Sequence, residues 1–95
     1  MSAYLVVEVD VKDTALYAEY KKLVPETITK YGGRYLTRGG RVETIEGSWT
    51  PARFVIVEFP SMERAKAWWA SEEYAKAKAM RHAASTTQMV LAEGL

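Results

Sequence analysis

The residues of this sequence that are best suited to chemistry include a carboxylate placed in an apolar run. Glu58 lies near the end of the run from Phe54 to Phe59. A carboxylate in such surroundings needs a partner or a role, and burial would raise its pKa toward the range of a general base. Glu58 is therefore a candidate catalytic base or an acceptor for a ligand hydroxyl. The alternative is a structural carboxylate bonded to an arginine or a tyrosine across a dimer.

Two other titratable residues extend this set. Glu8 falls on the same predicted face as Glu58, and two carboxylates within reach would couple and raise one pKa. His82 is the only histidine and follows Arg81 late in a predicted helix, where the helix dipole stabilises a cation. His82 is a candidate catalytic base or haem ligand, and the alternative is a histidine at the surface or at the boundary of the core.

Arginines and aromatic residues suggest small-molecule binding. The segment Arg38-Gly39-Gly40-Arg41 offers backbone donors and guanidinium groups to an anion. Alternatively, its glycines form a bulge that bends an edge strand. Trp68 and Trp69, with Trp49, are candidates for a pocket that takes a flat apolar substrate and supports oxygen chemistry without a cofactor, or else for ordinary core packing. Adjacent helical residues point about 100° apart, so one of the pair is expected at a pocket rim or an interface.

These candidates are combined in one predicted pocket between a sheet and its helices. An arginine would hold an anionic group, Trp68 would form an apolar wall, and Glu58 or His82 would transfer a proton. The complete predicted set is Tyr31, Arg38, Glu58, Trp68, Arg81 and His82.

Composition excludes several other classes. The chain has 95 residues, enough for one domain with one core, and 48% of them are hydrophobic. The absence of cysteine excludes disulfides, thiol catalysis and thiolate metal sites, and a single histidine excludes a histidine-rich site within one chain. We expect no metal and no cofactor. The net charge of +1 argues against nucleic-acid binding.

Nothing in the sequence predicts a membrane protein. No apolar run approaches the roughly 18 residues of a membrane span. Glu8 and Asp10 interrupt the apolar start of the chain, which differs from a signal peptide for that reason. A cytoplasmic location is the expectation.

Apolar periodicity predicts the elements that position the candidates. A first helix is capped by Asp13, is kinked or restarted at Pro25, and ends at Gly32-Gly33. Two more helices begin after Ser61 and Ser71. Strands are predicted over Ala3–Val11, Arg34–Arg38, Arg41–Glu46, Arg53–Phe59 and Thr86–Glu93. The order is that of a ferredoxin-like βαββαβ antiparallel sheet, an α+β fold spanning residues 1–95.

Strand parity predicts which face of the sheet lies under the helices and which face lies outside. Leu5, Val7 and Val9 share a parity with Val55, Val57 and Phe59 and should lie under the helices. The opposite face is too apolar to remain in water, since it presents Tyr4, Val6, Phe54, Ile56 and Val90. A second copy of the chain is the simplest cover, which predicts a sheet-to-sheet homodimer with twofold symmetry.

The sequence also resembles a known family. The matching residues are Tyr20, Gly32 to Leu36, Arg38-Gly39-Gly40, Glu46-Gly47, Arg53 to Ser61, Trp68, Ser71, Tyr74, Arg81 and Glu93-Gly94. In order and spacing they are similar to a small bacterial family named domain of unknown function 1330, most specifically in Glu58-Phe59-Pro60-Ser61 with Trp68 and Ser71-x-x-Tyr74.

The resemblance implies a dimeric α/β barrel. It also implies kinship of fold with antibiotic-biosynthesis monooxygenases, muconolactone-isomerase-like proteins and haem-degrading monooxygenases. The last group shares an Asn, Trp and His set, and this chain contains no asparagine. Fold kinship does not transfer chemistry.

Two functions follow as hypotheses. The first is a small-molecule binder or enzyme with its pocket between sheet and helices, and cofactor-free oxygenation or isomerisation if it is catalytic. The second is a non-catalytic homodimer that acts as a ligand sensor or accessory protein. A pocket open to solvent, with Glu58 held in a closed salt-bridge network, would favour the second.

Overall fold

Four strands and three helices make up the chain, and the computed structural model describes all 95 residues. The elements are β1 (Ala3–Val11), α1 (Thr14–Lys30), β2 (Arg34–Arg38), β3 (Arg53–Phe59), α2 (Met62–Trp69), α3 (Glu72–Ala84) and β4 (Ser85–Glu93). The strands form one antiparallel sheet in the order β2-β3-β1-β4. The predicted ferredoxin-like α+β fold is confirmed, and within one chain the sheet is open rather than closed into a barrel. None of the three helices combines the length and the hydropathy that a membrane-spanning helix requires.

The sheet has one face under the helices and one face without a cover. In the β1–β3 ladder, Leu5 lies opposite Val57 and Val7 opposite Val55, and all four are buried in the core. The intervening pair, Val6 and Ile56, lies on the other face, as the parity predicted. Side chains that alternate along each strand therefore divide between a core and an outer surface.

Side-chain caps fix the starts of all three helices. Asp13 accepts a hydrogen bond from the Leu16 amide (3.0 Å), and Ser61 accepts one from the Arg64 amide (3.1 Å). Ser71 accepts one from the amide of Tyr74 (3.2 Å). Each bond satisfies an amide that has no partner inside the helix. The three predicted caps are confirmed.

Pro25 neither ends nor restarts the first helix, contrary to one of the two predicted outcomes. Helix α1 continues through it from Thr14 to Lys30. Because proline has no amide hydrogen, the carbonyl of Lys21, one turn earlier, loses its helical donor. A guanidinium from strand β2 supplies the missing hydrogen bond, as described below.

The predicted strand over Arg41–Glu46 is wrong. Residues 40–52 contain no regular element and connect β2 to β3 directly. The alternation of Val42, Thr44 and Ile45 resembles a strand, but the segment finds no ladder partner, and Ile45 is 92% exposed. Its contacts include a hydrogen bond from Thr44 Oγ1 to the Trp49 carbonyl (2.7 Å), the packing of the Trp49 ring on Phe54 and an exposed ion pair between Arg41 and Glu43.

Candidate functional site

A narrow cavity lies between helix α1 and the helix-covered face of the sheet. The volume of this cavity is about 30 Å³, which is room for about two water molecules. Most of the lining is apolar or aromatic. The lining residues are Leu5, Val7, Val9, Tyr17, Tyr20, Lys21, Val24, Ile28, Tyr35, Arg38, Arg53, Val55, Val57, Trp68, Arg81 and Met89.

Every charged residue in this lining is a cation. Lys21, Arg38, Arg53 and Arg81 line the cavity, and no aspartate or glutamate does. The five ion pairs of the structure lie elsewhere and use none of these four side chains. We call this site the cationic cavity. Lys21 and Arg38 are exposed and mark its mouth, while Arg81 is only 4% exposed and marks its inner end.

A bulge in strand β2 turns Arg38 into the cavity. Tyr35 lies opposite Val57, but Thr37 lies opposite Ile56, so one extra residue enters the strand between them. Arg38 therefore faces the same side as Tyr35 and not the opposite side. Its guanidinium lies 4.7 Å from the Tyr35 ring centre. The predicted bulge at Gly39-Gly40 is displaced to this position.

The free carbonyl in helix α1 holds Arg38 in place. Arg38 Nη2 donates a hydrogen bond to the Lys21 carbonyl oxygen at 2.8 Å. That oxygen is available because Pro25, four residues later, cannot donate to it. The proline thus couples the helix to strand β2 at the mouth of the cavity.

The guanidinium of Arg53 includes a buried donor that lacks a partner. Its Nε is buried and has no hydrogen-bond partner. The guanidinium carbon lies 5.6 Å from the centre of the Tyr17 ring. Gly39, whose φ is +73°, leaves the room for it, since a Cβ at that position would meet the Arg53 guanidinium at 2.3 Å. A buried donor without a partner calls for an explanation.

Arg81 is held by a chain of hydroxyl groups. Its Nε donates to Tyr74 Oη (3.1 Å), which lies 3.3 Å from Tyr20 Oη. Burial raises the pKa of Tyr20 far above its ordinary value, and the nearby Tyr74 acts in the same direction. Burial also raises the pKa of Tyr35 to about 12. Both phenols therefore remain protonated at neutral pH.

Trp68 is a core residue that also forms one wall of the cavity. Its side chain is 2% exposed and stacks on Tyr74, with ring centres 4.1 Å apart. The indole Nε1 donates to Thr27 Oγ1 (3.0 Å). Its neighbour Trp69 is 46% exposed and lies under the Lys78 ammonium, 3.7 Å away. The two tryptophans are thus unequally buried, as their helical spacing predicted, and the exposed one does not line the cavity.

Glu58 lies on the outer face of the sheet, away from the cavity. Its Oε1 accepts a hydrogen bond from Arg34 Nε at 2.7 Å. The Arg34 hydrogen bond, helped by Ser2 and Tyr4, lowers the pKa of Glu58. The expectation that burial would raise this pKa is therefore wrong. The arginine partner belongs to the same chain rather than to a second copy.

The predicted coupling between Glu8 and Glu58 is also absent. Glu8 lies opposite Phe54, whereas Glu58 lies opposite Tyr4, four residues farther along the ladder. That offset corresponds to roughly 13 Å at the rise of a strand. Two carboxylates at such a separation do not share a proton.

His82 lies in an exposed groove beside strand β4. The groove is lined by Trp69 and His82 on the helix side and by Met89 and Leu91 on the strand. His82 Nε2 is 3.3 Å from Arg81 Nη2. Leu5, Arg81 and Met89 line both this groove and the cationic cavity, and so lie between the two.

Tyr31 belongs to a different cluster, at the junction of α1 and α3. Its hydroxyl donates to Glu73 Oε1 (2.9 Å), and Lys30 Nζ contacts Glu73 Oε2 (2.6 Å). The predicted set is thus divided: Arg38, Trp68 and Arg81 share the cavity, while the remaining three lie outside it.

The sequence analysis missed several cavity residues. One could have been found from parity, because Arg53 is in phase with the buried Val55 and Val57 of the same strand. Lys21 and Tyr17 gave no comparable signal, since their roles depend on how α1 lies over the sheet.

A comparison with protein families decides the family of the chain. The model described as "Domain of unknown function (DUF1330)" matches residues 2–95. The chain belongs to this family. Among curated proteins, none matches it.

Solved structures resemble this DUF1330 protein in fold. One of unknown function from Rhodopseudomonas palustris has a TM-score of 0.81 at 17% identity, with 99% of this chain and 82% of that one covered. A dimeric ferredoxin-like protein of unknown function from Jannaschia sp. CCS1 gives 0.73 at 12%, covering 99% and 100%. SnoaB, a cofactor-independent oxygenase from Streptomyces nogalater, gives 0.67 at 10%, covering 99% and 93%. At these identities the likeness shows a shared fold alone.

Proposed function

We propose that this DUF1330 protein binds a small molecule with an anionic group and an apolar body in the cationic cavity. The observation that carries the proposal is the lining itself, with four cations, no acid and an otherwise apolar wall. Partly buried charges without partners are unfavourable, so a site of this kind gains stability when an anion enters.

The arginines favour a carboxylate or a similar planar anion. A guanidinium offers donors in a fixed fork that matches two carboxylate oxygens. Arg53 has a buried Nε free for such a bond, and Arg38 lies at the same end of the strand pair, opposite Val55. The tyrosines and Trp68 would contact the apolar body. The cavity volume of about 30 Å³ is smaller than a ligand of this kind, so binding requires outward movement of lining side chains, including the exposed Lys21 and Arg38.

The environment of Glu58 favours binding over catalysis by that residue. A general base needs a raised pKa and contact with the ligand. Glu58 has a lowered pKa, an arginine partner and a place on the other face of the sheet. A ligand sensor or accessory protein is therefore the form of the proposal that we favour over a carboxylate-dependent isomerase.

Calorimetric titration with benzoate tests this proposal. We expect saturable binding to the wild-type protein and at least tenfold weaker binding to Arg53→Met, because a hydrogen bond to a charged group contributes about 1.5–3 kcal/mol. The matched control is Arg34→Met, which removes an arginine of the same sheet that is paired with Glu58. Equal weakening in both variants, or no binding to the wild type, would contradict the proposal.

The outer face of the sheet supports a homodimer as the functional form. Val90 is 64% exposed there, beside Val6, its partner across the β1–β4 ladder. Two open sheets packed through these faces would form the sheet-to-sheet homodimer that strand parity predicts and the dimeric barrel that the family resemblance implies. The dimeric state of the Jannaschia protein, which shares the fold, adds support.

Light scattering tests the homodimer. We expect a dimeric mass at micromolar concentration and a monomeric mass for Val90→Glu, because a buried unpaired carboxylate is costly. Lys76→Glu, an exposed change on α3, is the control and should remain dimeric. A monomeric wild-type protein would overturn this part of the proposal.

A further inference from the structure

Three polar side chains form a chain of contacts at the inner end of the cationic cavity. Arg81 Nε donates to Tyr74 Oη at 3.1 Å, and Tyr74 Oη lies 3.3 Å from Tyr20 Oη. Tyr20 and Arg81 line the cavity, whereas Tyr74 is fully buried and does not. The positions of the Tyr20 and Tyr74 hydroxyl hydrogens decide whether this end of the cavity presents a hydrogen-bond donor or an acceptor to a ligand.

A count of donors and acceptors places both hydrogens. A guanidinium has donors only, so the Tyr74 oxygen must be the acceptor of the Arg81 bond. The Tyr74 hydrogen then has one acceptor within reach, the Tyr20 oxygen. In the opposite arrangement the Tyr74 hydrogen would be buried without an acceptor, which is unfavourable. Tyr74 therefore donates to Tyr20, and the Tyr20 hydrogen has no acceptor in the protein.

We infer that the Tyr20 hydroxyl donates a hydrogen bond to an oxygen atom of the ligand inside the cavity. The inference rests on the proposed function and narrows the class of ligand. Besides its anionic group, the ligand carries a carbonyl or similar acceptor oxygen within its apolar body. A donor that itself accepts a hydrogen bond is polarised by it, and here Tyr74 and Arg81 provide that polarisation.

The contacts between the rings give the order of the groups along the cavity. The Arg53 guanidinium lies over Tyr17, at 5.6 Å, and the Tyr17 ring centre is 5.3 Å from that of Tyr20. Tyr20 is therefore connected to Arg53 through Tyr17 on one side and to Arg81 through Tyr74 on the other. An elongated ligand with its anion at Arg53 presents its opposite end to Tyr20.

Burial supports the role of Tyr20 as a donor. It raises the pKa of the phenol well above the ordinary range, so the hydroxyl keeps its hydrogen at any pH at which the protein is used. The residue binds and orients the ligand, and no proton transfer is required of it.

Two probes of nearly equal shape test the inference. 4-Acetylbenzoate has a carbonyl oxygen opposite its carboxylate, and 4-ethylbenzoate lacks that oxygen. We expect the wild-type protein to bind the acetyl probe about fivefold to tenfold more tightly, the range of one hydrogen bond. Tyr20→Phe should abolish this preference without changing the affinity for the ethyl probe. Tyr31→Phe loses a hydroxyl outside the cavity and should keep the preference.

The outcomes separate this inference from the proposed function. Equal affinity of the wild type for both probes, or a preference that survives in Tyr20→Phe, overturns the inference and leaves the anion site intact. Failure of both probes to bind overturns the proposed function, and the inference falls with it.

A measurement on the wild-type protein covers the case in which Tyr20→Phe does not fold. The infrared carbonyl stretch of 4-acetylbenzoate should move to lower frequency on binding, because hydrogen-bond donation weakens the carbonyl bond. A bound probe whose carbonyl frequency stays at the value found in an apolar solvent would overturn the inference.

Discussion

Two charged clusters touch helix α1, and they differ in whether their cations meet a carboxylate. At the end of the helix, Lys30 and Tyr31 both bond to Glu73 of α3. In the cationic cavity, Lys21 and the three arginines meet no acid at all. The first cluster is complete within one chain and connects two helices. The second is incomplete, which is why we assign it to a ligand.

The same contrast holds between arginines of one strand, β2. Arg34 points to the outer face and pairs with Glu58 at 2.7 Å. Arg38, four residues later, is turned to the inner face by the bulge and bonds only to a backbone carbonyl and a ring. Both residues are arginines, so residue type does not distinguish a structural arginine from a ligand-binding one in this strand. The presence or absence of a carboxylate partner does.

The largest expected effect concerns the wall behind the cavity. Trp68→Ala should destabilise the protein by about 3–5 kcal/mol, because a large buried ring is removed from between Phe59 and Tyr74. Trp69→Ala is the control and should cost less than about 1 kcal/mol, since Trp69 is exposed. Urea unfolding measures both. Similar losses in the two variants would show that Trp68 is not the core residue of the pair.

A smaller effect, confined to binding, is expected at the inner end. Arg81→Met should weaken the binding of 4-acetylbenzoate by about fivefold to tenfold, because Tyr74 then loses the donor that directs its own hydrogen toward Tyr20. The free energy of unfolding of the ligand-free protein should change little. The reason is that removing an unpaired buried charge relieves desolvation, which offsets the lost bond to Tyr74. Calorimetry and urea unfolding report the two quantities separately. Unchanged affinity together with a large loss of stability would show that Arg81 has a structural role, as Lys30 has in its ion pair with Glu73.

The smallest effect is expected in the cluster of Lys30, Tyr31 and Glu73, and it depends on pH. The Lys30 hydrogen bond, with help from a backbone bond and Tyr31, lowers the pKa of Glu73 from 4.5 to about 2. Because the folded pKa is below the unfolded one, this carboxylate stabilises the fold fully above pH 4.5 and progressively less as the pH falls toward 2.

Comparison with Glu73→Gln isolates that contribution. The difference in urea midpoint between wild type and variant should be constant above pH 5 and should shrink between pH 4.5 and 2. The other carboxylates are present in both proteins, so their contributions to the pH dependence cancel in the difference. A difference that does not vary with pH would indicate that the ionised form of Glu73 contributes nothing.

Local patterns predicted most of the fold. Asp13, Ser61 and Ser71 cap helices because a short side chain can reach an amide two or three residues away, and that reach is visible in sequence. The parity of Val55 and Val57 predicted the buried face of β3 equally well. The strand predicted over Arg41–Glu46 failed because alternation is local, whereas a strand needs a neighbour to pair with.

The site was predictable only in part, because it depends on contacts between distant residues. Glu58 was judged from its apolar neighbours in sequence, yet its pKa is governed by Arg34, 24 residues away. The inward turn of Arg38 results from an extra residue in β2 that no composition reveals. The partnership of Pro25 with Arg38, through the Lys21 carbonyl, likewise appears only in three dimensions.

The most direct test of the central claim observes the arginines themselves. A titration of the ¹⁵N-labelled protein with benzoate can be followed through the Nε–Hε resonances. We predict saturable shifts for Arg53 and Arg81, which line the cavity, and none for Arg34, which is paired on the outer face. Shifts of equal size at Arg34, or no saturable shift at Arg53 and Arg81, would contradict the assignment of the cationic cavity as the binding site.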